Sequence, residues 1–361
     1  MIRILYTVNG MRVNGVSSVI MQYIERLPKS KYEFTIFTDE IAPEYVERLA
    51  KSNVKIMQSK NRKKNQLNYY RELMSILKNG NYDLIHAHGN SATIAIELVA
   101  AEKAGVPIRI AHSHNTTCTH KVIDKLLRPM FYRTYTLGIG CGDAAGEWLF
   151  NHRKHIIVKN GIDLQHFKYD VETRNSIRNQ LGINNDYVIG HVGRFTEQKN
   201  HEAILRIFAE YIKSNNAKLL LVGDGPKELH IRELVAQMGI SDKVIFYGTI
   251  KDTAPLYSAM DVFLFPSKFE GLPLTLIEAQ ASGLHCVISN KISNEVNLTP
   301  LIHVYPLEDE ASWINPLCVN TRFRERESLD GIKELTKAGY DIKEVINQID
   351  ELYSNAYRGN K

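Results

Sequence analysis

The chain has 361 residues, 44% of them apolar and 24% charged, a balance that suits a globular protein with two hydrophobic cores rather than one. Its 45 Lys and Arg against 40 Asp and Glu leave a net charge of +5, too modest an excess to imply a nucleic-acid partner. No apolar run approaches the roughly 20 residues that span a bilayer. The opening MIRILYTVNG enters a polar loop too early for a signal peptide, and Cys118, Cys141, Cys286 and Cys318 are scattered with no Cys-x-x-Cys pair, so a cytoplasmic protein with reduced thiols is expected.

The first half alternates short apolar strands with helical patterns, the arrangement of a parallel sheet covered by helices. Ile2 to Val8 opens as a strand, and a polar loop, Asn9 to Asn14, leads through Gly15 into a helix from about Val16 to Leu27. Further strands are expected at Phe34–Phe37, Val54–Ile56, Leu84–Ala87, Ile108–Ala111, Leu137–Gly140 and Ile156–Val158, with helices over Asn68–Lys78 and Ala92–Ala104. His86-Ala-His88 and His112-Ser-His114 are pairs two apart at strand ends, so each pair projects to one face, and four histidines would suffice for zinc.

Two basic stretches interrupt this pattern. One is Lys60-Asn-Arg-Lys-Lys64. The other, His120 to Arg133, mixes Lys121, Lys125, Arg128 and Arg133 with Val122, Ile123, Leu126, Leu127, Met130 and Phe131. They read either as a solvated loop and a core-facing helix or as a patch that meets an anionic membrane surface, and Pro129 interrupts the second stretch, so that its pattern alone does not establish a continuous helix.

Asn160-Gly-Ile-Asp163 carries a turn signal and is followed by a charged stretch, Phe167 to Arg178, so a domain boundary is expected at residues 165 and 166. Beyond it the plan repeats: a strand at Val188–Val192, a polar loop, a helix from about His201 to Lys213, then strands at Leu219–Val222, Val244–Phe246 and Val262–Phe265. The fold class is therefore α/β, two Rossmann-like, doubly wound parallel-sheet domains, 1–165 and 166–340, facing a cleft, with ligands at the carboxyl ends of the strands. Ile342, Val345, Ile346, Ile349, Leu352, Tyr353 and Ala356 follow helical spacing and make a final amphipathic helix over 341–361.

Three loops of the second half carry the chemistry. Gly193-Arg194-Phe-Thr-Glu-Gln-Lys199-Asn200 follows the first strand and precedes a helix, so both cations emerge at a strand's carboxyl end, suited to an anion. Val222-Gly-Asp-Gly-Pro226 and Phe246-Tyr-Gly248-Thr-Ile-Lys-Asp252 end the next two strands, each of which could be only a turn. The stretch Phe265 to Gly283, FPSKFEGLPLTLIEAQASG, sets Glu270 and Glu278 on either side of a Gly-Leu-Pro turn, with Pro273 in the first turn of a helix. Free amides near Leu274 and Thr275 would meet an anion with hydrogen-bond donors and the positive end of the helix dipole. Two glutamates at this spacing could also be no more than an acidic, solvated helix start.

The setting Ser267-x-x-Glu270-Gly271-x-Pro273-x-x-x-x-Glu278-Ala279 resembles that of the retaining, GT-B-fold glycosyltransferases of family 4, marked by Glu, seven residues, Glu. The resemblance runs from the first loop through the helix after Pro273. It implies that Arg194 and Lys199, beside Gly193, hold the donor diphosphate, that Ile250 lies at the nucleotide base, and that His114 lies beside the transferred sugar. Glu270, Gly271, Leu272, Leu274, Thr275 and Glu278 would complete the donor site, Glu278 toward the ribose and Glu270 toward the sugar. Gly15 would let the backbone approach the diphosphate, although this chain has Asn14-Gly15 where relatives often have two glycines. The resemblance also implies that the last helix crosses back onto the first domain.

No Asp-x-Asp occurs to hold a divalent ion on a sugar nucleotide, so no metal and no cofactor are expected. The reading is a hexosyltransferase that moves a hexose from a nucleotide-diphosphate sugar, UDP-linked, to a hydroxyl of a glycan or lipid-linked saccharide in cell-surface polysaccharide synthesis, with peripheral contact with an anionic membrane. Rival readings are an epimerase or hydrolase of nucleotide sugars on the same fold, and a non-catalytic subunit that binds the sugar nucleotide. A dinucleotide dehydrogenase is disfavoured because no G-x-G-x-x-G follows the first strand.

Overall fold

The structure, a computed structural model, describes residues 1–12, 14–59, 61, 62, 64–317, 326 and 331–360. Cys318, Lys60 and Lys63 lie outside the described residues. Contacts divide the chain into two units, Met1–Gly161 with Lys343–Lys361, and Ile162–Ile342.

The first unit runs β1 (Ile2–Val8), α1 (Gly15–Arg26), β2 (Tyr32–Thr38), α2 (Pro43–Lys51), β3 (Lys55–Gln58), α3 (Gln66–Gly80), β4 (Leu84–Gly89), α4 (Ala95–Lys103), β5 (Ile108–Ser113), α5 (Lys121–Thr134), β6 (Leu137–Gly140), α6 (Asp143–Phe150) and β7 (Ile156–Ile157). All seven strands are parallel, in the order β3-β2-β1-β4-β5-β6-β7. Strand order reverses between β1 and β4, which makes their carboxyl ends the place where such a sheet opens to a ligand. A core of Leu5, Phe37, Tyr69, Leu73, Ile85, Leu98, Ala111, Phe131 and Phe150 packs α3, α4 and α5 onto one face.

The second unit runs α7 (Val171–Leu181), β8 (Tyr187–Val192), α8 (His201–Tyr211), β9 (Ala217–Val222), α9 (Glu228–Gln237), β10 (Val244–Gly248), α10 (Ala254–Ala259), β11 (Val262–Phe265), α11 (Leu274–Ala281), β12 (His285–Ser289), β13 (Ile302–Tyr305), α12 (Ile314–Leu317) and α13 (Gly331–Lys337). Its strands are parallel in the order β10-β9-β8-β11-β12-β13, with the reversal between β8 and β11. Val262–Phe265 is buried throughout, as a central parallel strand covered on both faces must be. One core, with Ile204, Phe208, Leu221 and Trp313, lies under α8 and α9, and a second, with Leu256, Tyr257, Phe263 and Leu276, under α10 and α11.

α7 lies in the stretch that composition marks only as charged. Its buried positions are Arg174 and Arg178, so no apolar stripe announces it. Both guanidiniums reach Asp261, at 2.5 Å each, and also bond main-chain carbonyls at the end of α10, while Arg326 bonds carbonyls of Tyr257, Met260 and Ser282.

The last helix, α14 (Ile342–Arg358), packs in the first unit from Lys343 on. Lys31 Nζ pairs with Asp350 at 2.7 Å, Tyr32 donates to Asp350 at 2.6 Å, Gln348 donates to the Ile157 carbonyl, and the Tyr6 and Tyr353 hydroxyls are 3.0 Å apart. Ile349 and Tyr353 are fully buried.

α5 is continuous through Pro129, so that residue does not break it. Proline takes away the amide that would bond the Lys125 carbonyl, and that carbonyl belongs to an exposed residue where water can replace it.

Candidate functional site

The carboxyl ends of β8, β9 and β11 in the second unit are stitched together by main chain. The Gly193 amide donates to Val222 and that of Phe195 to Asp224 at 2.6 Å, and the Lys227 amide donates back to Phe195. Gly223 and Gly225 take φ of 132° and 151°, and a Cβ on them would stand 2.3 Å from the Gly193 oxygen and 2.6 Å from the Phe195 oxygen, so only glycine permits this approach. Asn200, left-handed at φ 57°, donates its Nδ2 to the Pro266 carbonyl at 3.1 Å. The Lys268 amide donates to Gln198, whose side chain donates to Phe269. Neither Asn200 nor the Gly-Asp-Gly turn is identifiable as a stitch from local sequence, because the partners lie far along the chain and are brought near by a strand order that the sheet sets.

This stitching brings Lys199 to Glu270. Lys199 Nζ is 2.8 Å from Glu270 Oε1 and 4.4 Å from the centre of the Phe265 ring, and the two charged side chains are only 16% and 11% exposed. The Glu270 main chain is fixed by a bridge to Ile292 and accepts from the Ser293 amide. Arg194 is exposed and forms no ion pair among the described residues. A cation held beside a carboxylate and a second cation free in water at the same strand end form a place for an anion that carries hydroxyls.

Glu278 sits one turn inside α11. Burial pushes its carboxyl up to about 6, while the hydroxyls of Tyr257, donating at 2.8 Å, and Thr253 hold it down in part. Tyr257 is the partner that sequence spacing does not reveal. Helix α11 has no side-chain N-cap bond, and the buried Thr275 hydroxyl has no partner among the described residues. Gly271 is exposed with open space where a Cβ would stand, and Leu272 and Leu274 are half-buried against the neighbouring cores. Ile250, 36% exposed, follows Gly248 at φ 80° in a loop held by the Gly223 amide on the Gly248 carbonyl and by His166 on Asp252.

In the first unit Asn14 caps α1 by accepting from the Ser17 amide at 3.0 Å. Gly15 has an ordinary φ and nothing within 4 Å of a Cβ position, so neither its own backbone nor its packing requires glycine there. The four histidines form one cluster at the ends of β4 and β5. His88 Nδ1 lies 2.9 Å from His114 Nε2, and His86 Nε2 lies 3.2 Å from His112 Nδ1. Burial keeps all four neutral, with His114 lowered to about 3. His86, His88 and His112 each offer a ring nitrogen within 4.8 Å of the others. However, the His86 and His88 rings are stacked at 4.2 Å and 19°, so their in-plane lone pairs run side by side instead of converging on one ion.

The basic stretches divide. Arg62 is not a surface charge: it is 12% exposed and pairs with buried Glu97 at 2.6 Å while donating to Tyr69, which removes it from any membrane patch. Arg128 is held by Asp124 and by the Trp148 carbonyl. Lys121, Lys125 and Arg133 remain exposed on α5 beside Val122, Ile123 and Leu126, the first and last of these three more than 70% exposed. Among the described residues no helix is long and apolar enough to cross a membrane.

Residues 13–166 match the family model described as Glycosyltransferase Family 4, and residues 173–298 match Glycosyl transferases group 1. A protein of Bacillus subtilis (strain 168) named "Putative glycosyltransferase EpsF" is 32% identical over 372 residues, covering 98% of this chain and 96% of its own length. The UDP-Gal:alpha-D-GlcNAc-diphosphoundecaprenol alpha-1,3-galactosyltransferase of Escherichia coli is 26% identical over 94% of both chains. Among solved structures, Anabaena Alr3699/HepE in complex with UDP and glucose superposes with a TM-score of 0.80 at 17% identity, covering 98% of this chain and 100% of the other, a likeness of fold.

Proposed function

This chain belongs to the family 4 glycosyltransferases, and from that premise we propose that it moves a hexose from a UDP-sugar to a hydroxyl of a lipid-linked saccharide or growing glycan, with retention and without a metal ion. The product is a cell-surface polysaccharide of the capsule or exopolysaccharide kind. The observation that carries the reading is the Lys199–Glu270 pair beside exposed Arg194 at the opening of the second sheet. The name of the Escherichia coli relative, with its UDP-galactose donor and diphosphoundecaprenol-linked acceptor, supports the donor and acceptor classes.

In this mechanism Arg194 and Lys199 meet the diphosphate. As the glycosyl–oxygen bond breaks, charge grows on the leaving phosphate oxygen, so fixed cations favour the transition state over the bound donor. Lys199 then exchanges part of its bond to Glu270 for the phosphate, and Glu270 is released to accept from sugar hydroxyls. Glu278 accepts from the ribose, Ile250 borders the base, and His114 attends the transferred sugar. Retention follows a front-face course in which the leaving diphosphate takes the acceptor proton. Peripheral contact with an anionic membrane is assigned to Lys121, Lys125 and Arg133 with Val122, Ile123 and Leu126.

The test is a donor screen. Thermal stabilisation by UDP-, GDP- and ADP-sugars, followed by transfer assays with the donors that bind, should single out UDP, because a ligand that binds the folded state raises its melting temperature by mass action. Activity should survive EDTA, and proton NMR of the product should show the donor's anomeric configuration. Release of free sugar at the same rate without acceptor would replace this reading with a hydrolase.

A further inference from the structure

The four histidines are two hydrogen-bonded pairs stacked on one another. His86 lies over His88 at 4.2 Å between ring centres and His112 over His114 at 4.1 Å. Tyr6 meets both His86 and His88 edge-on, and the Tyr353 hydroxyl bonds His86 Nδ1 at 2.6 Å. A neutral imidazole has one donor and one acceptor nitrogen. In the outer pair the bond uses His88 Nδ1 and His114 Nε2, which leaves His88 Nε2 and His114 Nδ1, both buried and with no partner among the described residues. If His88 donates, His114 must carry its proton on Nδ1, and if His114 donates, its Nδ1 must accept. The free nitrogens of the pair are therefore always opposite in kind.

We infer that His88 is a positioning residue for the transfer reaction: its Nδ1 holds the His114 ring in one orientation and couples the His114 tautomer to its own, so that the pair always offers sugar hydroxyls one donor and one acceptor. A hydroxyl both donates and accepts, so the ligand class is a polyol such as the transferred hexose. The stack, anchored by Tyr6 and by Tyr353 on α14, keeps the His88 ring from turning. The inference rests on the placing of His114 beside the transferred sugar.

Two substitutions separate orientation from packing. His88→Phe keeps a ring in the stack and removes Nδ1, whereas His88→Asn loses the ring and keeps a polar atom near the Nδ1 position. With UDP-sugar and acceptor, His88→Phe should lower kcat by about tenfold or more with little change in the donor KM, and His88→Asn should recover part of that loss, since displacing a catalytic contact by about 1 Å costs that order of rate. A residue that merely packs would give the reverse ranking. The double variant His88→Phe/His114→Phe should be no slower than His114→Phe alone, and additive losses would overturn the inference. Nitrogen NMR of the histidine rings gives a reading independent of activity: in the wild-type protein His88 and His114 should be protonated on matching ring nitrogens, in His88→Phe the His114 tautomer ratio should change, and an unchanged His114 signal would overturn the hold itself. If His114→Phe turns over normally, the sugar-side role of His114 fails, while the NMR result still decides whether His88 sets its tautomer.

Discussion

Lys199 Nζ and Glu270 Oε1, 2.8 Å apart, join the loop after β8 to the loop after β11, so the candidate site already carries a carboxylate on one of its two cations. Arg194, on the same loop, has no such partner among the described residues. The two cations should therefore differ in what their loss does to the fold.

Arg194→Ala should cut turnover by roughly ten- to a hundredfold and leave the melting temperature unchanged, since one charge-assisted hydrogen bond is worth ~1.5–3 kcal/mol. Lys199→Ala should cost a similar factor and also lower the melting temperature, because Glu270 is left nearly buried without its cation. Steady-state kinetics and calorimetry on both variants check this. Normal turnover in either folded variant would remove it from the diphosphate site.

Much of this was legible in the residues. The strands at Leu137–Gly140 and Val262–Phe265 match expectation end to end because each is a short apolar run bounded by turn signals. α7 was illegible for the reason that its buried face is arginine, and the surface reading of Arg62 was overturned because this loop residue before α3 finds its partner, Glu97, on α4. Local pattern reports what a side chain is, whereas the sheet order decides what it meets. The same limit hid Tyr257 behind Glu278, and Tyr353 behind His86.

The Glu278 carboxyl is raised to about 6, so donor binding should depend on pH if this group meets the ribose. The folded protein binds this proton more readily than the unfolded chain. Ionised Glu278 thus destabilises the fold above pH about 6, and that penalty is relieved as pH falls toward the ordinary carboxyl range. Donor affinity should move the other way, weakening as pH drops through about 6, because the protonated carboxyl is a poorer acceptor for ribose. Titration calorimetry with UDP should show this slope in the wild type, a midpoint shifted upward in Tyr257→Phe, and weak, pH-independent binding in Glu278→Gln.

Gly15→Ala isolates ligand approach from folding. Open space at the Cβ position and an ordinary φ mean that alanine should leave stability unchanged or raise it by about 0.4–1 kcal/mol. Donor affinity should fall if the backbone at Gly15 approaches the diphosphate. Unchanged affinity for UDP would remove Gly15 from the donor site.

Asp261→Ala should destabilise the second unit by ~3–5 kcal/mol, since Arg174 and Arg178 would be buried without their carboxylate and the Val188 amide would lose its acceptor. Urea unfolding should register the loss, and a variant of wild-type stability would show that the carbonyls around these arginines suffice.

The α5 surface should bind vesicles that contain anionic lipid, reversibly and with sensitivity to salt, at about 1 kcal/mol per basic residue near the membrane. Lys121→Glu with Lys125→Glu should release the protein at low salt, and Val122→Ser with Leu126→Ser should remove the part that persists at moderate salt. UDP affinity should stay the same in both. Equal sedimentation with neutral and anionic vesicles, or none with either, would leave α5 as a solvated helix.

Because the first unit is closed by Lys343–Lys361, no single cut yields two complete halves. A fragment that ends at Gly161 lacks the hydroxyl that bonds His86 and the carboxylate that pairs with Lys31. A chimera meant to exchange the first unit between relatives must therefore transplant both ends of the chain together, leaving Ile162–Ile342 as the host. An exchange made at one junction would mix a foreign tyrosine helix with a native histidine stack and test the mismatch instead of the exchanged unit.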